Sequence, residues 1–560
     1  MSETKNSGLK IVVVGASAAG LRAAARAKRL MPESLITVID KGKIISYGAC
    51  GLPYYLSGDI ESTRALMETS WGTLRNTEFF EKVKGLDMRI QTTVTSVDIE
   101  NKSISLINKI TGNEENLQFD KLVLATGATP IMLSGISADH QRISTFKTVE
   151  DAVKWRKKLE TGQIERIAII GSGFIGIELA EAFTSMWDVK VDLIEEKNRI
   201  LPQMLDADMS FLIEKHLKKQ GVQLHKNCSV TAINDIPDGL EIVANNKTIK
   251  TGYAIVAIGV RPQVELARQM GLKIGKCGGI TVDRNLTTSH PDVYAAGDCI
   301  EVEYFHGKKV VIPLGSLANK QGRAVGDQLT GRKTEFKKVV GSACVKVFDY
   351  NVASTGLTET MAAQYGIPTR SVRGTFNDLA HYYPEDKNIF LKLIYNPDTR
   401  QILGLQAAGE GDVVKRVDVL GNLLMNEGYL EDLLDSEFAY SPPYASALDP
   451  LYMLGAAALN QEEGIVSANY AESPDNALVL DVRTPDEAKN YPLENTMHIP
   501  YEKLRKRVNE LAKNEAIRII CSRGTRSAEA TRWFVEAGHK NVAYAGGGWF
   551  MLNKESGSQL

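Results

Sequence analysis

Two cysteines of this 560-residue chain stand where a thiol can react. Cys50 lies in S-Y-G-A-C-G-L-P-Y (Ser46 to Tyr54), just behind a glycine-punctuated strand–helix turn. Cys521 opens C-S-R-G-T-R-S (Cys521 to Ser527), a tight loop behind an apolar strand. Each is placed as a nucleophile rather than as core filler. Cys228, Cys277, Cys299 and Cys344 are scattered, with no C-x-x-C pair. That usage fits reduced thiols, with neither a disulfide framework nor a metal site expected.

Elements must hold these thiols in place. Lys10 to Val14 reads as a strand, and GASAAG (Gly15 to Gly20) opens a helix running through Leu30. Ile36 to Ile39 is a second strand, ended by Asp40. In such a βαβ unit Gly15 permits the tight turn and Gly20 permits close packing. Helix amides face a pyrophosphate, and Asp40 reaches a ribose hydroxyl. Ser17 stands at the middle glycine position. A second copy runs from the Arg166 to Ile170 strand through GSGFIG (Gly171 to Gly176) to the Val189 to Ile194 strand, ended by Glu195 and Glu196. An acidic strand end accepts a 2′-hydroxyl and repels a 2′-phosphate, which predicts NADH over NADPH.

K-L-V-L-A-T-G-A-T-P (Lys121 to Pro130), A-I-V-A-I-G-V-R-P (Ala254 to Pro262) and D-V-Y-A-A-G-D (Asp292 to Asp298) complete the pattern. Over about residues 10 to 458 the chain resembles the pyridine nucleotide–disulfide reductases. The resemblance implies FAD in the first unit, at Gly15, Ser17, Ala18, Gly20, Asp40, Lys41, Ser46, Ala125, Thr126, Gly127, Gly297, Asp298, Pro313 and Ala318, with Asp298 on the ribityl chain. It implies NAD(P)H in the second, at Gly171, Gly173, Phe174, Ile175, Gly176, Glu178, Glu195 and Gly259. It also implies an α+β dimerisation domain over 334–459, with short strands at Ala343 to Phe348, Ile389 to Tyr395 and Gln401 to Ala408, and hence a homodimer.

Family members with two redox cysteines space them C-x-x-x-x-C, but the positions five away from Cys50 are Ile45 and Tyr55. A lone Cys50 must cycle as a sulfenate or a mixed disulfide with a small thiol. Its motif resembles the coenzyme A disulfide reductases, whose cysteine carries coenzyme A. Arg22, Arg26 and Arg29 fall on one helix face. They are candidates, with Ser46, for coenzyme A, or else form a solvated face. The branch's active-site tyrosines match Tyr382 and Tyr440, with Tyr383 and Tyr444 as neighbouring rivals. A phenol there can protonate a leaving thiolate. Ala49 replaces a frequent Asn, and Glu68 to Thr77 replaces a loop with a coenzyme A-binding basic residue. Arg64, Arg75 and Lys82 are the nearby substitutes.

The C-terminal segment resembles rhodanese: L-V-L-D-V-R-T-P (Leu478 to Pro485), H-I-P (His498 to Pro500), the Cys521 loop and G-G-G-W (Gly546 to Trp549). The resemblance makes Cys521 a persulfide carrier, with Arg523, Gly524 and Arg526 shaping its loop and the arginines drawing in anionic sulfur donors. A C-x5-R phosphatase loop is excluded, because only four residues separate Cys521 from Arg526.

The whole is thus expected to be α/β: an FAD domain (1–149 and 263–333), an NAD(P)H domain (150–262), the dimerisation domain (334–459), a linker (460–476) and a rhodanese domain (477–560). With 43% hydrophobic and 24% charged residues and 47 glycines, the composition suits a globular α/β chain. A net charge of −2 argues against nucleic acid. No apolar run reaches ~18 residues, so no membrane span is expected, and the start lacks a secretory apolar core. A cytoplasmic, FAD- and NADH-dependent reductase of persulfide, polysulfide or coenzyme A disulfide is expected. The alternatives are an NADH oxidase or peroxidase cycling Cys50 sulfenate, and a non-catalytic sulfur carrier or redox sensor. Oxidase relatives carry a His where this chain has Ala18.

Overall fold

The computed structural model describes residues 8–137, 140–245, 247–469 and 476–555. It forms two compact units, one of Met1–Gly171, Leu179–Val191 and Thr231–Val339, the other of Ser172–Glu178, Asp192–Val230 and Val340–Leu560.

The first unit is built on a parallel sheet ordered Val293–Ala295, Lys121–Leu124, Lys10–Val14, Leu35–Ile39, Asp87–Arg89. Strands Lys10–Val14 and Leu35–Ile39 are rich in β-branched residues and, Thr37 apart, buried after their first residue, as a sheet covered on both faces requires. The first helix, Ala18–Leu30, ends where the sequence predicts. Ala19, Gly20, Ala23, Ala24 and Ala27 are buried, and this small-residue face packs against helix Gly315–Gln328. The approach is close: a Cβ at Gly322 would sit 2.3 Å from the carbonyl oxygen of Ala19. Strand Arg166–Ile170 pairs in parallel with Tyr253–Val256, which pairs with Ile143–Ser144.

In the second unit, an antiparallel sheet runs Ala343–Val347, Tyr350–Gly356, Ile402–Gly409, Asn388–Tyr395, Arg370–Asn377. Three of these strands lie within a residue or so of their predicted bounds, and Tyr350–Gly356 and Arg370–Asn377 were not foreseen. Arg370–Asn377 is the edge strand. Beside it, Lys392 is fully buried and bonded to Asp208 at 3.0 Å and Glu359 at 2.6 Å, while Arg373 also binds Asp208. These bonds fix helix Ala207–Lys219, and burial of so many charges is tolerable only because they are paired.

The rhodanese-like sheet is parallel, ordered Val466–Ala468, Val542–Ala545, Ile517–Ile520, Leu478–Asp481, Thr496–His498. Its core includes Leu480, Ile517, Ile519, Phe534 and Val542. The expected linker is thereby corrected. Gln461 belongs to helix Pro450–Glu462, and its side chain accepts the Ser467 amide at 2.9 Å. Val466–Ala468 is the sheet's edge strand, leaving 470–475 outside the described residues. Among the described residues no helix is long and apolar enough to cross a membrane.

Candidate active site

The first glycine turn forms a cradle that a side chain would fill. Gly15 has φ +113°, and a Cβ there would lie 2.1 Å from the Ala125 carbonyl oxygen. Asp40 accepts the Ala16 and Gly42 amides, each at 2.7 Å, so the acidic strand end also locks the turn. Each carboxylate oxygen keeps a lone pair for a ribose hydroxyl. Ser17 caps no amide of the helix it precedes, so that end stays open to an anion. Ser46 takes φ +53°, rare for a residue with a Cβ, and donates its amide to Ala16 at 3.0 Å. The Cys50 loop is thus pinned to the dinucleotide turn.

Gly297 and Asp298 close the same cradle. Burial pushes the Asp298 carboxyl up, and Lys147 opposes that shift. Lys147 itself bonds the Ala128 carbonyl, and burial pulls its ammonium down. Lys147 was missed by sequence reasoning, because nothing local links it to a residue so distant in the chain. A half-buried carboxylate and ammonium, beside a turn without side chains and an open helix end, fit a long polar dinucleotide such as FAD.

Cys50 is exposed, in a single 3-10 turn before helix Leu52–Ser57. Its Sγ lies 4.0 Å from where a Cβ at Gly315 would be, at the first residue of helix Gly315–Gln328, so the sulfur meets that helix's positive end. None of the six cysteines is in a disulfide. Of the two positions where a second redox cysteine could stand, Ile45 is buried and Tyr55 lies under the Arg156 guanidinium.

The arginine face divides. Arg26 binds Asp327 through Nε at 2.8 Å and Nη2 at 2.7 Å. It ties the two helices together, so part of its charge is already paired. Arg22 and Arg29 stay exposed. The substitutes considered in the replaced loop are likewise engaged. Arg75 donates to the carbonyls of Leu66 and Met67, Arg64 pairs with Glu68, and Lys82 pairs with Glu78.

The second nucleotide turn repeats the logic of the first. Gly171 has φ +105°, and a Cβ would sit 2.4 Å from the Ala257 carbonyl oxygen. Glu195 accepts the Ser172 amide at 3.0 Å and the Lys197 amide at 2.7 Å, as Asp40 does in the first turn. Phe174, Ile175, Gly176 and Glu178 form the first turns of the following helix, Phe174–Trp187.

In the second unit Tyr382 and Tyr440 are brought together, with hydroxyls 3.1 Å apart. That bond pushes the Tyr440 phenol up. Of the rivals, Tyr383 donates its backbone amide to the Ala380 carbonyl at 2.8 Å, and Tyr444 is exposed with its carbonyl held by Lys415.

Cys521 is only 1% exposed, at the centre of its loop. The Gly524 amide donates to Sγ at 3.1 Å, and the Ser527 hydroxyl lies 3.4 Å away. Gly524 takes φ +106° and leads into helix Thr525–Glu536. Arg526 is held by Glu487 in two bonds of 2.8 Å. Burial would raise the Glu487 carboxyl, but Arg526, Ser522 and the Thr484 amide hold it down at about 2. Arg526 is therefore fixed in place beside the sulfur by Glu487. Arg523 lies over the Phe550 ring, with Nη1 lacking a hydrogen-bond partner and burial lowering its pKa. Glu487 was also missed, although Thr484-x-x-Glu487 is a readable capping box and does cap its helix.

Comparison with known proteins identifies the family. Residues 9–322 match the pyridine nucleotide-disulphide oxidoreductase family, 342–452 its dimerisation domain and 467–555 the rhodanese-like domain. A solved NAD-dependent persulfide reductase from A. fulgidus superposes with a TM-score of 0.93 at 37% identity, covering 97% of this chain and 100% of that one. An NAD(P)H sulfur oxidoreductase (CoA-dependent) of Pyrococcus abyssi is 33% identical over 445 residues, 79% of this chain and 97% of the relative. An NADH oxidase of Methanocaldococcus jannaschii is 32% identical over 454 residues, 81% of this chain and 99% of the relative. The family uses FAD and NAD(P)H. With both glycine cradles, the dimerisation fold and the Cys521 loop in place, the chain belongs to the pyridine nucleotide-disulphide oxidoreductases and carries a C-terminal rhodanese-like domain.

Proposed function

We propose that the protein is an NADH-dependent reductase of coenzyme A persulfide, polysulfide or coenzyme A disulfide, acting through Cys50, with Cys521 handling sulfane sulfur. The observation that carries this reading is the exposed Cys50 with Ile45 and Tyr55 where a second thiol would stand. Such a thiol needs a small partner thiol, and Arg22 and Arg29 offer positive charge to a phosphorylated one. FAD, when bound in the Gly15 cradle, supplies two-electron transfer between NADH and sulfur.

The Cys50 thiolate attacks the carbon-bearing sulfur of a coenzyme A persulfide. A Cys50–coenzyme A disulfide forms and hydrosulfide leaves. Two electrons from NADH then return the Cys50 thiolate and free coenzyme A. In a homodimer, Tyr382 and Tyr440 of the partner subunit protonate the leaving sulfur, as their mutual hydrogen bond and exposure allow. Exposed Tyr444 and Leu448 in the same domain support burial of that face by a second copy. Glu195 sets the preference for NADH over NADPH. Cysteines free of disulfides suit a cytoplasmic setting.

The NADH oxidase likeness favours a second reading, in which Cys50 cycles as a sulfenate. The Cys521 loop gives that reaction no use. The test is NADH oxidation with each sulfur acceptor and with oxygen, for wild type and Cys50→Ser. Turnover with coenzyme A persulfide that disappears in Cys50→Ser supports the proposal. Oxygen-only turnover, or an active Cys50→Ser, overturns it.

A further inference from the structure

The dimerisation domain reaches the floor of the Cys521 loop. Edge strand Arg370–Asn377 turns alternate residues to one side, so Arg373, Thr375 and Asn377 share a face. Two of them, Arg373 and Thr375, lie against the rhodanese-like domain. The Thr375 hydroxyl, 3% exposed, donates to the Gly547 carbonyl at 2.7 Å. A Cβ at Gly546 would lie 3.4 Å from the Arg373 Cβ and carbonyl oxygen. Asn377 bonds Asp386, the carboxylate whose charge reaches Arg523.

The segment so held supports the nucleophile directly. Trp549 donates its amide to the Cys521 carbonyl at 2.7 Å, and Phe550 to the Ser522 carbonyl at 3.0 Å. Gly548, at φ +63°, leaves no room for a side chain: a Cβ would lie 2.5 Å from the Cys521 carbonyl oxygen and 2.6 Å from the Arg523 nitrogen. One bonded path therefore runs from Thr375 through Gly547 and Trp549 to Cys521. Arg373, the neighbour on that face, is itself anchored by Asp208. A rhodanese-like loop with this foundation does not set its own geometry alone.

We propose that Thr375 is a positioning residue for Cys521, acting through Gly547, so that the dimerisation domain tunes the sulfur-transfer loop. The proposal rests on the reading of Cys521 as a persulfide carrier. With thiosulfate as donor, the Cys521 thiolate takes the outer sulfur, releases sulfite and becomes a persulfide. Cyanide then removes that sulfur as thiocyanate and restores the thiolate.

The test uses the full-length holoenzyme. Thr375→Val keeps the shape and removes the donor, which strands a buried carbonyl. The expected result is a roughly 10-fold fall in kcat for thiosulfate:cyanide transfer, with NADH-driven reduction unchanged and a higher pH midpoint for Cys521 alkylation by iodoacetamide. Thr375→Ser, which keeps the hydroxyl, should recover both, and Thr375→Ala replaces the valine variant if that fails to fold. Transfer within twofold of wild type in the donor-free variant, or an alkylation midpoint that does not move, overturns the role of Thr375. Cys521→Ser separates the two ideas: if it keeps full transfer activity, the persulfide-carrier reading fails instead.

Discussion

The two cysteine sites solve opposite problems. Cys50 is exposed, with the start of one helix beside it and its turn tied to the Gly15 cradle. Cys521 is enclosed, with an amide 3.1 Å from its sulfur and a hydroxyl at 3.4 Å, braced by the Glu487–Arg526 pair. A site that must admit a flavin on one side and a large thiol on the other cannot be closed by its own loop. A site that only passes one sulfur atom can be. The Cys50 site is therefore completed by what it binds, whereas the Cys521 site is preorganised by the protein.

The largest expected effect breaks the pair apart. Cys50→Ser should lower NADH-dependent sulfur reduction by about 10³-fold or more, since no nucleophile remains, while thiosulfate:cyanide transfer stays near wild type. Cys521→Ser should do the reverse. If either substitution abolished both activities, the two sites would act as one obligatory relay, and the contrast drawn here would be lost.

The arginine face sharpens the contrast at the open site. Arg29→Glu places a negative charge where a phosphate is expected. It should raise KM for coenzyme A disulfide about 10-fold, the scale of a lost charge-assisted bond, and leave KM for inorganic polysulfide unchanged. Equal changes for both acceptors would remove coenzyme A from this face. Arg26→Ala should differ in kind. It strands the Asp327 carboxylate, which is 7% exposed, at a cost of about 3 kcal/mol of stability, read as a lower urea midpoint with KM unaltered.

That division of labour marks the limit of what the sequence discloses. Arg22, Arg26 and Arg29 lie within an arc of about 60° on a helical wheel, so periodicity groups them. Only the approach of helix Gly315–Gln328, through glycines hundreds of residues away, decides that Arg26 turns inward. The glycine turns, the acidic strand ends and the Cys521 loop were legible because their spacing is local and sterically demanded. Lys147, Thr375 and the reach of Glu487 to Arg526 were not, since each acts on a residue distant in the chain. Strand Val466–Ala468 was missed because a short edge strand with a serine at its centre lacks the apolar run that reveals an interior one.

The smallest effect concerns the brace at the closed site. The Glu487 carboxyl is held at about 2, against an ordinary 4.5. A carboxyl depressed in the folded state binds protons more readily when the chain is unfolded. Its stabilisation is thus complete above about pH 4.5 and is lost as the pH falls toward 2. The Glu487 side chain is 33% exposed, so screening limits the contribution to about 1 kcal/mol. Thermal midpoints of the full chain, taken between pH 6 and 3, should fall less steeply for Glu487→Gln than for wild type, because the variant has no proton to bind at that position. Asp292, also held at about 2 by Lys102 and Lys121, titrates over the same window in the first unit. It serves as an internal control: Asp292→Asn should flatten the pH dependence while leaving sulfur transfer untouched, whereas Glu487→Gln should flatten it and slow transfer together. Parallel curves for wild type and Glu487→Gln would mean that the brace adds nothing to the folded state, and that Cys521 is held by its loop backbone and the strand beneath it.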